Sequence, residues 1–91
     1  MSVTDRPEDL RYEVDVDGEV AGFIDYRRAD GVVEMVHTDV DPKWEGQGVG
    51  SALVQGALDD VRARGLKVRP FCPFVAAYIR RHPEYEDLVA P

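Results

Sequence analysis

One cysteine, two histidines and no long apolar run are the first constraints this 91-residue sequence imposes. A single cysteine excludes an internal disulfide framework and the multi-thiolate zinc sites. No His/Asp/Glu group has metal-ligand spacing, so no metal is expected. No stretch approaches the roughly 20 apolar residues that a bilayer span requires. Met1 to Leu10 is polar and acidic, without the basic and then apolar pattern of a secretory leader, which leads to the expectation of a cytoplasmic protein. Positive charge is scarce: 11 Lys and Arg stand against 18 Asp and Glu, for a net charge of −7. Nucleic acids and anionic membranes need a basic face, and so are not expected as main partners.

What is present suits one small globular domain over residues 1–91. The hydrophobic fraction of 44% and the charged fraction of 32% are ordinary for a soluble globule. The core must be thin, because a chain this short buries only about two-thirds of the surface it exposes unfolded. Charge is spread unevenly. Met1 to Glu45 carries thirteen acidic and five basic residues, whereas Arg62 to Pro83 carries six basic residues and no acidic one. That basic segment either ends helices in solvent or attracts a small polyanion.

Hydrophobic periodicity divides the chain in two. Arg11 to Val16 alternates, with Tyr12, Val14 and Val16 on one side, and Asp17-Gly18 follows as a hairpin signal. Glu19 to Arg28 is a second run, placing Val20, Gly22, Ile24 and Tyr26 on one face and Ala21 and Phe23 on the other. After Asp30-Gly31 comes a third run, Val32 to Val40, with Val33, Met35 and His37 opposite Val32, Glu34, Val36 and Thr38. Two tight turns joining three strands imply an antiparallel meander. The period then becomes helical, at Val49, Leu53, Ala57 and Val61, and Gly65 supplies a left-handed stop. Leu66 to Pro70 reads as a fourth strand. Pro73 opens a second helix with Phe74, Val75, Tyr78 and Ile79 as its apolar stripe, ending at His82-Pro83. Glu84 to Val89 has room for one further turn. The order is β-β-β-α-β-α, an α+β fold.

Between the third strand and the first helix lies Glu45-Gly46-Gln47-Gly48-Val49-Gly50-Ser51. Alternate glycines permit positive φ and leave no side chain above the turn. Successive amides can then face one spot, reinforced by the unpaired N–H groups and the positive dipole end of the helix. Such a turn binds a phosphate or diphosphate without basic side chains, which fits its acidic surroundings of Asp39, Asp41 and Glu45. It is not a Walker loop, which needs Lys-Ser/Thr where Ser51-Ala52 stands. Nor does it follow the first strand of a parallel βαβ unit, as a dinucleotide fingerprint would. A turn that is merely tight has the same local pattern.

A meander, then a glycine turn at a helix start, then a strand and a second helix, resembles the core of the GCN5-related N-acetyltransferases. The likeness is closer to a short subgroup of roughly 90 residues. It rests on His37-Thr38-Asp39-Val40-Asp41-Pro42, Glu45-Gly46-Gln47-Gly48, Pro70-Phe71-Cys72 and Tyr78-Ile79-Arg80-Arg81-His82-Pro83-Glu84-Tyr85, and it extends from Val20 to Val89. The resemblance implies a minimal fold whose sheet is splayed at a cofactor cleft. It further implies acetyl-coenzyme A as cofactor and an amine as acceptor. Apart from the resemblance, the expected state is a monomer or weak homodimer. Pantetheine would pair with backbone groups of Thr38, Asp39 and Val40. The diphosphate would rest on the amides of Gly46, Gln47, Gly48, Val49, Gly50 and Ser51, next to Glu45. The second helix would flank the ligand through Phe74, Tyr78 and Arg81. Trp44 would cover the apolar side of the turn or shield the adenine.

Three departures from the larger family stand out. Glu45 replaces the usual Gln or Arg, the helix-two tyrosine position falls on Ile79 with Tyr78 beside it, and the chain has no room for two final strands. Cys72, before Pro73 at a helix start, is placed for a lowered pKa. The resemblance puts Cys72 near the cofactor thiol and His37 across the cleft, so the two are the candidate nucleophile and base. A small buried cysteine and a hydrogen-bonded strand histidine would look the same in sequence.

Overall fold

A computed structural model describes residues 1–91. Five strands form one sheet in the order β1-β2-β3-β4-β5, and two helices lie on it: β1 Ser2–Arg6, β2 Arg11–Val16, β3 Glu19–Ala29, β4 Val32–Val40, α1 Val49–Ala63, β5 Lys67–Pro70 and α2 Pro73–Arg81. Short 3-10 turns occupy Pro7–Asp9, Pro42–Trp44 and Pro83–Leu88. Strands β1 to β4 form an antiparallel meander, and β5 joins β4 in parallel through the α1 crossover. The α+β architecture and the order of the later elements follow the sequence pattern.

Strand β1 departs from it, since Ser2–Arg6 carries one apolar residue and has no readable alternation. Partners supply what its composition lacks. It pairs with β2 over its whole length, Asp5 accepts a 2.5 Å hydrogen bond from the Tyr26 hydroxyl, and Val3 packs against the bare backbone of Gly56 on α1. Tertiary context of this kind overrides a weak strand propensity.

Both predicted hairpin turns form with the expected backbone. Asp17 and Gly18 have φ of 52° and 78°, and Asp30 and Gly31 have 50° and 78°, as a two-residue turn with positive φ at both positions demands. Helix α1 ends at Gly65 (φ 68°), where the amide of Leu66 returns to the carbonyl of Val61. The last residues are fastened by the Ala90 amide, which donates to the Val68 carbonyl.

One side of the sheet carries the core, a cluster of 20 buried residues that includes Val14, Ile24, Met35, Leu53, Leu58, Val68 and Val75. Two β-bulges alter the predicted faces. Val14 pairs with Gly22 but Asp15 with Val20, so Ala21 is an extra residue that turns inward to 1% exposure, while Val20 is left 49% exposed. In β4, His37 pairs with Asp25 and Met35 with Tyr26, which makes Val36 the extra residue. Thr38 therefore shares the inner face with Met35, and His37 is turned to the outer one. Strict alternation had put Val20 with Ile24 and His37 with Met35; one inserted residue reverses each assignment.

The outer face is a ladder of cross-strand ion pairs: Arg6–Glu13 at 3.3 Å, Arg11–Asp25 at 3.2 Å, Arg27–Glu34 at 3.6 Å and Arg69–Glu34 at 3.7 Å. Phenol–carboxylate hydrogen bonds tie the layers together, with Tyr12 donating to Asp60 at 2.7 Å and Tyr85 to Asp59 at 2.7 Å.

Candidate functional site

The site begins where β4 and β5 part. Their parallel pairing ends at Met35 and Pro70, and one further bond, from the Cys72 amide to the Met35 carbonyl at 2.9 Å, holds the chain before α2 turns away. Beyond that point β4 continues through Val40 with β3 on one side and no strand on the other. The edge so exposed borders a cavity of about 430 Å³ lined by Thr38, Asp39, Val40, Trp44, Glu45, Gly46, Gly48, Val49, Gly50, Ser51 and Phe74.

The glycine turn builds the far wall. Asp41 accepts a hydrogen bond from the Lys43 amide at 3.0 Å and starts the 3-10 turn, and Lys43 Nζ bridges to Glu19 at 3.0 Å. Gly46 (φ 78°) and Gly48 (φ 77°) then reverse the chain, and Gly48 caps α1 in the left-handed conformation. The first main-chain bond of the helix runs from Ala52 to Gly48 at 3.0 Å. None of the six amides from Gly46 to Ser51 donates to a main-chain carbonyl. Such donors need a partner from outside, and at a helix start they favour an anion. No basic side chain lines the cavity, while Asp39 and Glu45 do. Any attraction for an anion there resides in the backbone.

Phe74 forms the opposite wall. Its ring sits over Gly50, where a β-carbon would stand 2.8 Å from the ring edge. Gly50 thus lets the start of α1 touch α2. Phe74 remains 40% exposed, which leaves an aromatic surface toward the cavity.

Cys72 is the residue before α2, 5% exposed, with Sγ 3.3 Å from Thr38 Oγ1. Burial alone would raise its thiol pKa. Hydrogen bonding from the Thr38 hydroxyl and from the amides of Val75, Phe74 and Thr38 outweighs burial, and the net direction is down. Cys72 does not line the cavity, but its partner Thr38 does.

The structure gathers ten of the sequence-predicted cofactor residues around one space: Thr38, Asp39, Val40, Glu45, Gly46, Gly48, Val49, Gly50, Ser51 and Phe74. Gln47 lies outside, with its side-chain amide toward the Lys43 carbonyl at 3.5 Å. Tyr78 is a core residue, stacked on His82 at 4.1 Å, and Arg81 is exposed on the last turn of α2. His37 is not brought to Cys72. It faces the outer side of the sheet, its ring 6.2 Å from that of Phe23. The bulge at Val36 separates the pair, because the side chains of residues 37 and 38 leave the strand on opposite faces. Trp44, read from the sequence as covering the apolar side of the turn or shielding the adenine, is part of the lining.

Comparison with known proteins places this geometry. The family model for GCN5-related N-acetyl-transferase matches residues 11–88. Protein NATD1 of mouse is 31% identical over 62 residues, covering 66% of this chain and 56% of its own, and the human protein matches equally over 55% of its length. The chain thus spans a little over half the length of these curated relatives. Among solved structures, a GCN5-like protein from Staphylococcus aureus superposes with a TM-score of 0.72 at 23% identity, covering 98% of this chain and 87% of that one. The ribosomal-protein-S18-alanine N-acetyltransferase of Escherichia coli superposes with a TM-score of 0.66 at 22% identity, covering 80% and 50%. At those identities the likeness shows a shared fold, while the family match covers most of the chain. This chain belongs to the GCN5-related N-acetyltransferase family.

Proposed function

We propose that the chain transfers an acetyl group from acetyl-coenzyme A to an amine. The observation that carries this reading is the run of amides from Gly46 to Ser51 with no main-chain acceptor, five of whose residues, all but Gln47, border a cavity that continues to the free edge of β4. A diphosphate fits that run, since its oxygens accept from consecutive N–H groups at the positive end of α1. Thr38, Asp39 and Val40 offer main-chain groups to an extended, amide-bearing arm, in the manner of an added strand. Trp44 and Phe74 supply apolar walls.

When bound, the ligand brings an acyl group already activated as a thioester. The share of the protein is to hold that carbonyl against a main-chain donor and to keep the attacking amine in line. A net charge of −7 draws cationic acceptors toward the molecule, which favours an alkyl or peptidyl ammonium over an anionic acceptor.

Thermal melts with and without acetyl-coenzyme A test the reading directly. A ligand at a hundredfold excess over Kd adds about 2.7 kcal/mol of stability, which for a domain of this size moves the midpoint by roughly ten degrees or more. An unmoved midpoint at millimolar ligand would remove the proposal. Thiol release on adding candidate amines then separates an enzyme from a binding module.

A second route through Cys72 is favoured by one observation: its thiol is held at a helix start with a lowered pKa, in contact with the cavity residue Thr38. In that route the Cys72 thiolate attacks the thioester carbonyl and the bond to the coenzyme A sulfur breaks, the proton given up by the Cys72 thiol passing to the departing sulfur. The amine then displaces the Cys72 thiolate and gives its proton to it. Thr38, rather than His37, is the side chain in contact with the sulfur. The route predicts that acetyl-coenzyme A alone leaves one acetyl group on the Cys72 peptide, detected by mass spectrometry after acid quench. Cys72→Ala should show none while binding the ligand as before. An unmodified wild-type peptide under turnover leaves direct attack as the route.

A further inference from the structure

Only two buried side-chain polar atoms in the chain lack a hydrogen-bond partner, Arg11 Nε and Trp44 Nε1. Arg11 is otherwise engaged, with its other nitrogens at Asp25 and Glu13 and its guanidinium 3.9 Å over the Phe23 ring. Trp44 has no other polar attachment through its side-chain nitrogen. Its indole N–H is its one polar group, it has no acceptor, and the residue lines the cavity beside the glycine turn. A buried donor left unpaired costs about 1–3 kcal/mol, so an arrangement that retains one needs a compensating use.

Trp44 stands where the core meets the exposed glycine turn. Trp44 ends the 3-10 turn Pro42–Trp44, packed on the core from outside, with Lys43 Nζ 5.2 Å from its ring. The residues that follow, Glu45 to Gly48, are all exposed and include two glycines at positive φ. Trp44 Cα lies at most about 7.6 Å from that of Gly46, the first of the six free amides, because consecutive Cα atoms are about 3.8 Å apart. A ligand group seated on those amides is within reach of the indole.

From this we infer that Trp44 is a specificity-determining donor, whose indole N–H is completed by an acceptor atom at the phosphate-bearing nucleotide end of the bound thioester. The ligand-free protein holds the N–H buried and unpaired. Binding gives the donor its partner. The inference rests on the proposed coenzyme A reading and adds to it a side chain that tells the nucleotide end from a bare pantetheine arm.

The molecule has a single tryptophan, so its fluorescence reports on this residue alone. Titration with coenzyme A is expected to shift the emission in a saturable manner, whereas pantetheine at equal concentration should not. Replacing Trp44 by β-(benzothiophen-3-yl)alanine keeps the ring shape and removes the N–H. The ligand-free melting midpoint should then stay level or rise, while the affinity for coenzyme A falls about three- to tenfold, the worth of one hydrogen bond. Opposite signs for stability and affinity separate a ligand contact from a packing role, and Trp44→Phe should weaken coenzyme A binding at least as much. Should wild type and analogue bind coenzyme A equally, as followed by melting midpoint, the Trp44 assignment is overturned and the functional proposal stands. Should coenzyme A move neither emission nor midpoint in the wild type, both fall together.

Discussion

Gly48→Val is expected to weaken coenzyme A binding by well over tenfold while the protein still folds. Gly48 caps α1 at φ 77°, and a β-carbon built there meets no protein atom within 4 Å. Gly48 lines the cavity, so under the proposed reading a valine side chain there narrows the approach of a diphosphate. Left-handed backbone geometry adds strain of about 1–3 kcal/mol for a β-branched residue. That is tolerable within a total stability on the order of 5–10 kcal/mol. A control is available elsewhere in the chain. Gly18 has the same φ, 78°, and the same open surroundings, in a hairpin turn that does not line the cavity. Gly18→Val should therefore lower the melting midpoint by a similar amount and leave coenzyme A affinity untouched. Isothermal titration and melts on the two variants decide the matter, and equal affinities would refute the cradle.

Alkaline unfolding is the largest stability effect expected. Tyr12, Tyr26 and Tyr85 are buried phenols hydrogen-bonded to Asp60, Asp5 and Asp59. Burial first, and then the adjoining carboxylate, raises the pKa of each, with Tyr26 pushed up to about 12 and the other two higher. The sign follows from linkage. Below pH 10 the phenols are protonated in both folded and unfolded chains, and their contribution is fully present. Above pH 10 the unfolded chain ionises first, so stability falls by up to about 1.4 kcal/mol per pH unit for each tyrosine until the folded pKa is reached. Three such groups act in the same direction, so their losses reinforce one another as pH rises above 10. Urea midpoints from pH 10 to 12 should fall steeply, and Tyr26→Phe should make the fall shallower. A flat profile to pH 12 would mean that the phenols ionise freely in the folded state.

Much of this molecule was readable from its residues. Asp17-Gly18 and Asp30-Gly31 set the meander because few other pairs tolerate positive φ at two successive positions. The change of period after Val40 marked the helix, and Gly65 its end. The glycine turn was visible because alternate glycines leave a backbone without cover, a local property. Strand β1 was not readable, since its stability comes from Tyr26, β2 and Gly56, all distant in sequence. The pairing of His37 with Cys72, expected from the resemblance, did not survive the fold. A single inserted residue at Val36 reverses the faces, and a bulge leaves no dependable trace in a pattern of alternating residues. Tyr78 and Arg81 read as ligand contacts by their helix, yet Tyr78 packs into the core and Arg81 stays in solvent.

By itself, then, the sequence determined the element order, the two hairpin turns and a segment of backbone with no side chains above it. These depend on φ, ψ and periodicity, which are properties of neighbouring residues. Only the tertiary structure decided that β4 and β5 separate after Met35 and Pro70, that Phe74 closes over Gly50, and that the indole N–H of Trp44 is left without a partner. Each of those depends on where two distant segments come to lie against one another, and that is fixed by packing around the shared core.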